Sequence, residues 1–206
     1  MPSGLRRGLV WIAVAFAVIV PLAIAAGSEY LAYRSWVYIA AGFAGIAALV
    51  LIMLQPLLAA GFLPGLSMRL GRRIHRWVGV GLLAAIIIHV GGLWVTSPPD
   101  VIDALTFSSP TPFSAWGVVA MGALFVAAML AVLRRPLRIR PTVWRFAHTA
   151  SALVVLIGSV VHAVLIDGTM GTVSKYVLCA LAVAALLKAI VDLRSWAVLK
   201  RLKAPF

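Results

Sequence analysis

Four histidines, the only ones in the chain, are the residues whose type and spacing could do chemistry. His75 and His89 stand fourteen positions apart, and so do His148 and His162. On an α-helix fourteen residues rise about 21 Å, most of a bilayer's hydrocarbon core of about 30 Å. Fourteen steps of roughly 100° return a side chain to within about 40° of its starting face, and slight supercoiling removes that difference. Each pair therefore sets two imidazoles on one helix face, one near each membrane surface. Imidazole is the commonest metal ligand, and heme iron accepts one axial ligand from each side. Two such helices facing each other can hold two stacked bis-histidine hemes. Closing both axial positions suits electron transfer rather than binding of oxygen or substrate.

The histidines lie in apolar surroundings. Residues 72–96 read RRIHRWVGVGLLAAIIIHVGGLWVT, and residues 144–166 read WRFAHTASALVVLIGSVVHAVLI. Of the 206 residues, 64% are hydrophobic and only 11% charged, the composition of a polytopic membrane protein. A net charge of +13 would suit a nucleic-acid binder. The basic residues sit in short blocks between apolar runs, however, so the expected partner is membrane lipid and not nucleic acid. Cys179 is the single cysteine and lies in an apolar run. It forms neither a disulfide framework nor a cysteine metal site, and is expected as a small packing residue.

Six apolar runs, near 9–26, 36–58, 74–95, 113–133, 143–166 and 173–191, are each about the 20 residues that a spanning helix needs. The expected fold is an all-α membrane protein, a six-helix transmembrane bundle with two stacked hemes between helices 3 and 5. The chain divides into an N-terminal helix with the first outer loop (1–35), a heme-binding membrane domain (36–195) and a basic cytoplasmic tail (196–206). The first run, with Arg6, Arg7 and Ala23-Ile24-Ala25, resembles a cleavable signal peptide. It is longer than an h-region of about 7–15 residues, which favours a retained helix.

Charge sets the orientation. All but two of the eighteen basic residues fall at one end of the runs; Arg34 and Lys175 are the exceptions. The positive-inside rule makes the arginine-rich end cytoplasmic, with both termini inside a multi-pass cell (inner) membrane. The third and fifth spans are then parallel. His75 pairs with His148 near the cytoplasm, and His89 pairs with His162 near the outside.

Other residues fit round this pairing. Arg72, Arg76 and Arg145 lie within a turn of the inner ligands and could hold heme propionates. The outer end offers Arg34 and Lys175, with Trp94 and Thr96 as polar-edged neighbours. Gly79 and Gly158, each a turn from a histidine, could let a flat macrocycle approach; they could equally pack helices in lipid. Leu82 and Val155 stand midway between the ligands and would fill the space between hemes. Each histidine's second nitrogen is expected to donate to a carbonyl one turn back or to a hydroxyl such as Ser151 or Ser159. Trp36, Trp77, Trp94, Trp116 and Trp144 lie near span ends, as an aromatic belt requires. The loop at 97–114, rich in turn residues, is a cap or docking surface for a partner, or a plain connector. The C-terminal LRSWAVLKRLKAPF is basic with interleaved apolar residues and suits the anionic inner leaflet.

HRWVGVGLLAAIIIHV and RFAHTASALVVLIGSVVH resemble the third and fifth helices of the ferric reductase-like transmembrane domain. That superfamily includes ferric reductases, NADPH oxidases and the heme-binding membrane subunit of the bacterial periplasmic methionine sulfoxide reductase. The resemblance covers about residues 36–195; in size the chain is similar to the last of these. It implies b-type hemes at His75/His148 and His89/His162, carrying electrons outward; ferric iron, a periplasmic redox protein, oxygen and quinone are all compatible acceptors. Ferric reductases and NADPH oxidases continue into FAD and NAD(P)H domains, whereas this sequence stops soon after its sixth run and has no nucleotide-binding glycine motif. The expectation is an oxidoreductase membrane component that cannot oxidise NAD(P)H alone. A separate flavoprotein reductase, bringing FAD or FMN, or a membrane quinol would supply its electrons.

Two rival readings remain. A heme-binding, quinol-linked subunit of a respiratory or periplasmic oxidoreductase, like respiratory cytochrome b, would also carry two histidine pairs at this spacing. A transporter or structural protein using histidines as a proton relay would carry no heme at all.

Overall fold

The helices follow from where the apolar runs meet their caps. In the computed structural model, which describes residues 3–202, helix α1 spans Ser3–Ala26, α2 Trp36–Ala60, α3 Met68–Thr96 and α4 Pro98–Leu105. Helix α5 spans Pro112–Leu133, α6 Pro141–Leu165 and α7 Thr172–Leu202. Six of these, all but α4, are long and apolar enough to cross a membrane. They coincide with the six runs read from sequence. The tail expected at 196–206 has no described side chains.

Local signals set the ends. Ser35 and Ser67 accept from the backbone N–H of Tyr38 and Leu70 at the starts of α2 and α3. Such caps are typically worth about 1 kcal/mol each. Gly61 ends α2 in the left-handed conformation (φ 73°), where a side chain would be strained. Pro112 and Pro141 open α5 and α6, where the missing N–H has no helical partner to lose. The segment 97–114, expected as a loop, contains a short helix. Pro98-Pro99 and Asp100 start a two-turn helix, α4, and the Ser97 hydroxyl donates to Asp100 at 2.5 Å.

Two antiparallel hairpins, α2–α3 and α5–α6, form the frame. Helix α7 packs against α2 and α6, and α1 against α2 and α7. The core lies along α2 and α7, on Ala48, Leu49, Ile52, Met53, Leu178 and Ala182. Cys179 is buried there, as expected of a small packing residue.

Lys175 is the buried cation of the opposite end. Its Nζ donates to the carbonyls of Ile166 (2.6 Å) and Val164 (3.3 Å), where α6 ends. Those carbonyls lack helical partners, and a cation there stabilises the helix terminus by about 0.3–2 kcal/mol. Lys175 thus ties α7 to the end of the helix that carries His162. Arg34, the other basic residue of that end, lies over the Tyr38 ring at 4.8 Å.

Candidate heme-binding site

Helices α3 and α6 face each other through their histidines. The ring centroids of His75 and His148 are 6.3 Å apart, and those of His89 and His162 are 6.4 Å apart. The ring planes stand at 74° and 83°. Like ends of the helices face each other, so α3 and α6 run parallel. Leu82 and Val155, midway between the two tiers, are both buried in the core.

The second nitrogen of three histidines is held from the neighbouring helix of the same hairpin. His89 Nδ1 reaches the Ala41 carbonyl at 2.8 Å, and His75 Nδ1 reaches the Gln55 carbonyl at 3.1 Å, both on α2. On α5, the Phe113 carbonyl holds His162 Nδ1 at 2.8 Å. The carbonyls at Ala41 and Gln55 are themselves fourteen residues apart, as are Phe113 and Ala127. Antiparallel packing thus repeats one hydrogen bond at each tier. His148 is the exception. The Ala127 carbonyl lies beside its Nδ1, but the pair falls outside hydrogen-bond geometry.

These acceptors correct the sequence expectation of a carbonyl one turn back or a hydroxyl. The imidazole leans outward toward the adjoining helix, where it takes the second lone pair of a backbone carbonyl. The Ser151 hydroxyl donates instead to Ala147 of its own helix.

Glycine opens the way to two of the acceptors. A Cβ added at Gly45 would lie 2.9 Å from His89 Nδ1, and one at Gly117 would lie 2.8 Å from His162 Nδ1. Each glycine stands one turn beyond its carbonyl, Ala41 or Phe113. The matching positions at the other tier are Ala59 and Ala131. There the bond is longer for His75 and missing for His148. Neither Gly45 nor Gly117 was singled out by sequence; their offset of four from carbonyls in register with the histidines is the signal that could have found them. Gln55, the chain's only side-chain amide, is a second such signal. Its side-chain amide lies beside His75 Nδ1, the His75 carbonyl and the Gly79 N–H.

Gly79 and Gly158 face these companion helices. A Cβ at Gly79 would meet Gln55 at 3.3 Å; one at Gly158 would meet the Ala120 Cβ and the Trp116 carbonyl, each at 2.9 Å. Both contacts bring helix against helix. Arg72, Arg76 and Arg145 are exposed near the His75/His148 tier, and Arg145 Nε donates to the Pro141 carbonyl. At the opposite tier the Thr96 hydroxyl donates to the Gly92 carbonyl, within its own helix.

The donor set fits a heme. Each Nδ1–H bond to a carbonyl fixes the tautomer and leaves Nε2 with a lone pair for metal. Two metal–imidazole bonds of about 2.0–2.1 Å, with about 1.1 Å from each nitrogen to its ring centre, give a centroid separation of about 6 Å. That is the separation found at both tiers. Among the described residues no three His, Cys, Asp or Glu side chains converge. A bare ion would thus meet only two protein ligands at each tier. A macrocycle supplies four more from its own plane.

The family model for the ferric reductase-like transmembrane component matches residues 41–159. The chain belongs to that family. The match begins at Ala41, the acceptor for His89, and takes in His75, His89 and His148; His162 lies three residues beyond it. Membership makes the chain an oxidoreductase-family membrane component, of a kind that transfers electrons across membranes. Members of this family typically bind heme. No curated protein and no solved structure matches the chain.

Gly45 and Gly117 give a direct test of the anchoring bonds. Gly117→Ala should push His162 off the Phe113 carbonyl and weaken heme affinity at that tier by about 10–100-fold, the usual effect of losing a ligand's supporting partner. Heme titration of the apo-protein would show one weakened site and one unchanged.

Proposed function

We propose that the chain is a di-heme b-type relay. It would carry electrons from a cytoplasmic donor to an extracytoplasmic acceptor, ferric iron or a periplasmic redox protein. One observation carries the reading: two histidine pairs at the separation of a bis-imidazole iron, in two tiers on parallel helices. Each heme would supply a one-electron iron couple with both axial positions closed. His75 and His148 would hold the inner group, and His89 and His162 the outer. Arg72, Arg76 and Arg145 would neutralise the inner propionates. Leu82 and Val155 keep the space between the tiers dry and close-packed. The visible spectrum of the purified chain should show a reduced low-spin b-type cytochrome with two hemes per polypeptide. A colourless protein would favour a proton-relay transporter.

The direction of flow rests on the charge asymmetry. A reporter fused after Phe206 should be active only in its cytoplasmic form; a periplasmic signal would reverse the inner and outer labels.

The donor we favour is a separate flavoprotein. A cavity of 230 Å³ at the arginine-rich end is lined by Val126, Met129, Leu130, Leu133, Leu137 and Ile139. Its wall offers no polar group. This open apolar groove would take a lipid acyl chain. The basic loops around Arg72 and Arg138 suit an acidic or flavin-phosphate-bearing surface.

A further inference from the structure

Four of the five tryptophans near span ends face outward, as an aromatic belt should: Trp36, Trp77, Trp94 and Trp116 are all exposed. Trp144 is turned inward. Its indole stacks on the His148 ring with centroids 5.2 Å apart and planes within 10°. The indole is itself fixed twice. Its Nε1–H donates to the Leu130 carbonyl on α5 at 3.1 Å, and the Arg134 guanidinium lies over its ring at 4.3 Å.

His148 is also the one histidine whose Nδ1 lacks a hydrogen-bond partner among the described residues. The two facts belong together. Three imidazoles are hydrogen-bonded to a carbonyl; at the fourth the Ala127 carbonyl lies outside hydrogen-bond geometry, and an indole face lies flat against the ring. We propose that Trp144 is the positioning residue for His148: by stacking, it sets the ring plane that the carbonyls set for the other three. This inference rests on the di-heme reading above.

The ring plane has a spectroscopic consequence. When two axial imidazoles stand near perpendicular, the two iron dπ orbitals that they perturb stay nearly equal in energy. The ferric electron-paramagnetic-resonance signal is then strongly anisotropic. Both tiers are near perpendicular here, at 74° and 83°. A stacked indole resists rotation of His148, whereas an unstacked ring with no Nδ1 bond can turn.

The experiment uses the full chain with both hemes bound. His89→Ala first identifies which signal belongs to the outer heme. Trp144→Leu should then shift the largest g value of the inner signal alone, with heme still at two per chain. Trp144→Phe keeps an aromatic face but loses the bond to Leu130, so it should shift the same signal by less. If Trp144→Leu does not fold, Trp144→Phe decides by the same criterion. An inner signal unmoved in the folded variants, or both signals moving together, would overturn the proposal. Two signals in the unaltered chain that ignore Trp144 defeat this inference alone. No low-spin ferric signals at all in the unaltered chain would defeat the di-heme reading and this inference with it.

Discussion

Replacing His162 or His89 with alanine is expected to halve the heme bound per chain and to leave the inner site filled. Each ring stands opposite its partner at 6.4 Å, so a heme iron bound between them would keep a single protein ligand when one is removed. The other tier lies about 21 Å along the helices by rise alone, and its ligands and anchoring carbonyls are all different residues. Loss should therefore be confined to one site. His75→Ala and His148→Ala should remove the inner heme in the same way. Pyridine hemochrome assay per polypeptide, with a redox titration resolving the surviving couple, measures both statements. Four alanine variants with unchanged heme content would dismiss the ligand assignment. Loss of both hemes in every variant would mean that the tiers are not independent. Apo-chain stability should fall little, because the histidine rings are only part-buried and none belongs to the core along α2 and α7.

The pairing of the tiers was legible because helix period and charge asymmetry are both written along the chain. A spacing of fourteen fixes a common face, and arginine blocks fix which spans are parallel. These readings are independent, and they predict the same partners that the ring distances show. The supporting contacts were not legible in the same way. They depend on the register between neighbouring helices, and apolar runs do not fix register. Ala41 and Phe113 act through backbone carbonyls, which any residue carries. Trp144 read as one more belt tryptophan because its distance from a span end matches the others. Only its inward rotation separates it, and rotation follows from packing against Leu130 and Arg134 rather than from position in sequence. Lys175 shows the same limit. Its charge suggested a propionate partner, while the fold commits it to the last carbonyls of α6.

Transmembrane electron flow through the chain should stop in His75→Ala. The inner ligand pair lies at the arginine-rich end, where Arg134 meets Trp144 and Trp144 meets His148. On the di-heme reading, an electron supplied there would have to pass the His75/His148 pair to reach the His89/His162 pair. Two hemes would leave a gap shorter than the roughly 21 Å between tiers. Without the inner heme, an electron would have to cross the stretch past Leu82 and Val155 with no redox centre at the inner tier. In liposomes with a flavin reductase and its reductant enclosed on the side of the arginine-rich loops, an impermeant acceptor outside should be reduced by the unaltered chain. NAD(P)H without the reductase should leave the hemes oxidised. His75→Ala should lower acceptor reduction to the level of protein-free vesicles, while its outer heme still gives a spectrum. The outer heme is the internal control, because its presence shows that the variant is folded and inserted. Unimpaired transfer in that variant, or rapid heme reduction by NADPH in the pure protein, would sink the relay mechanism.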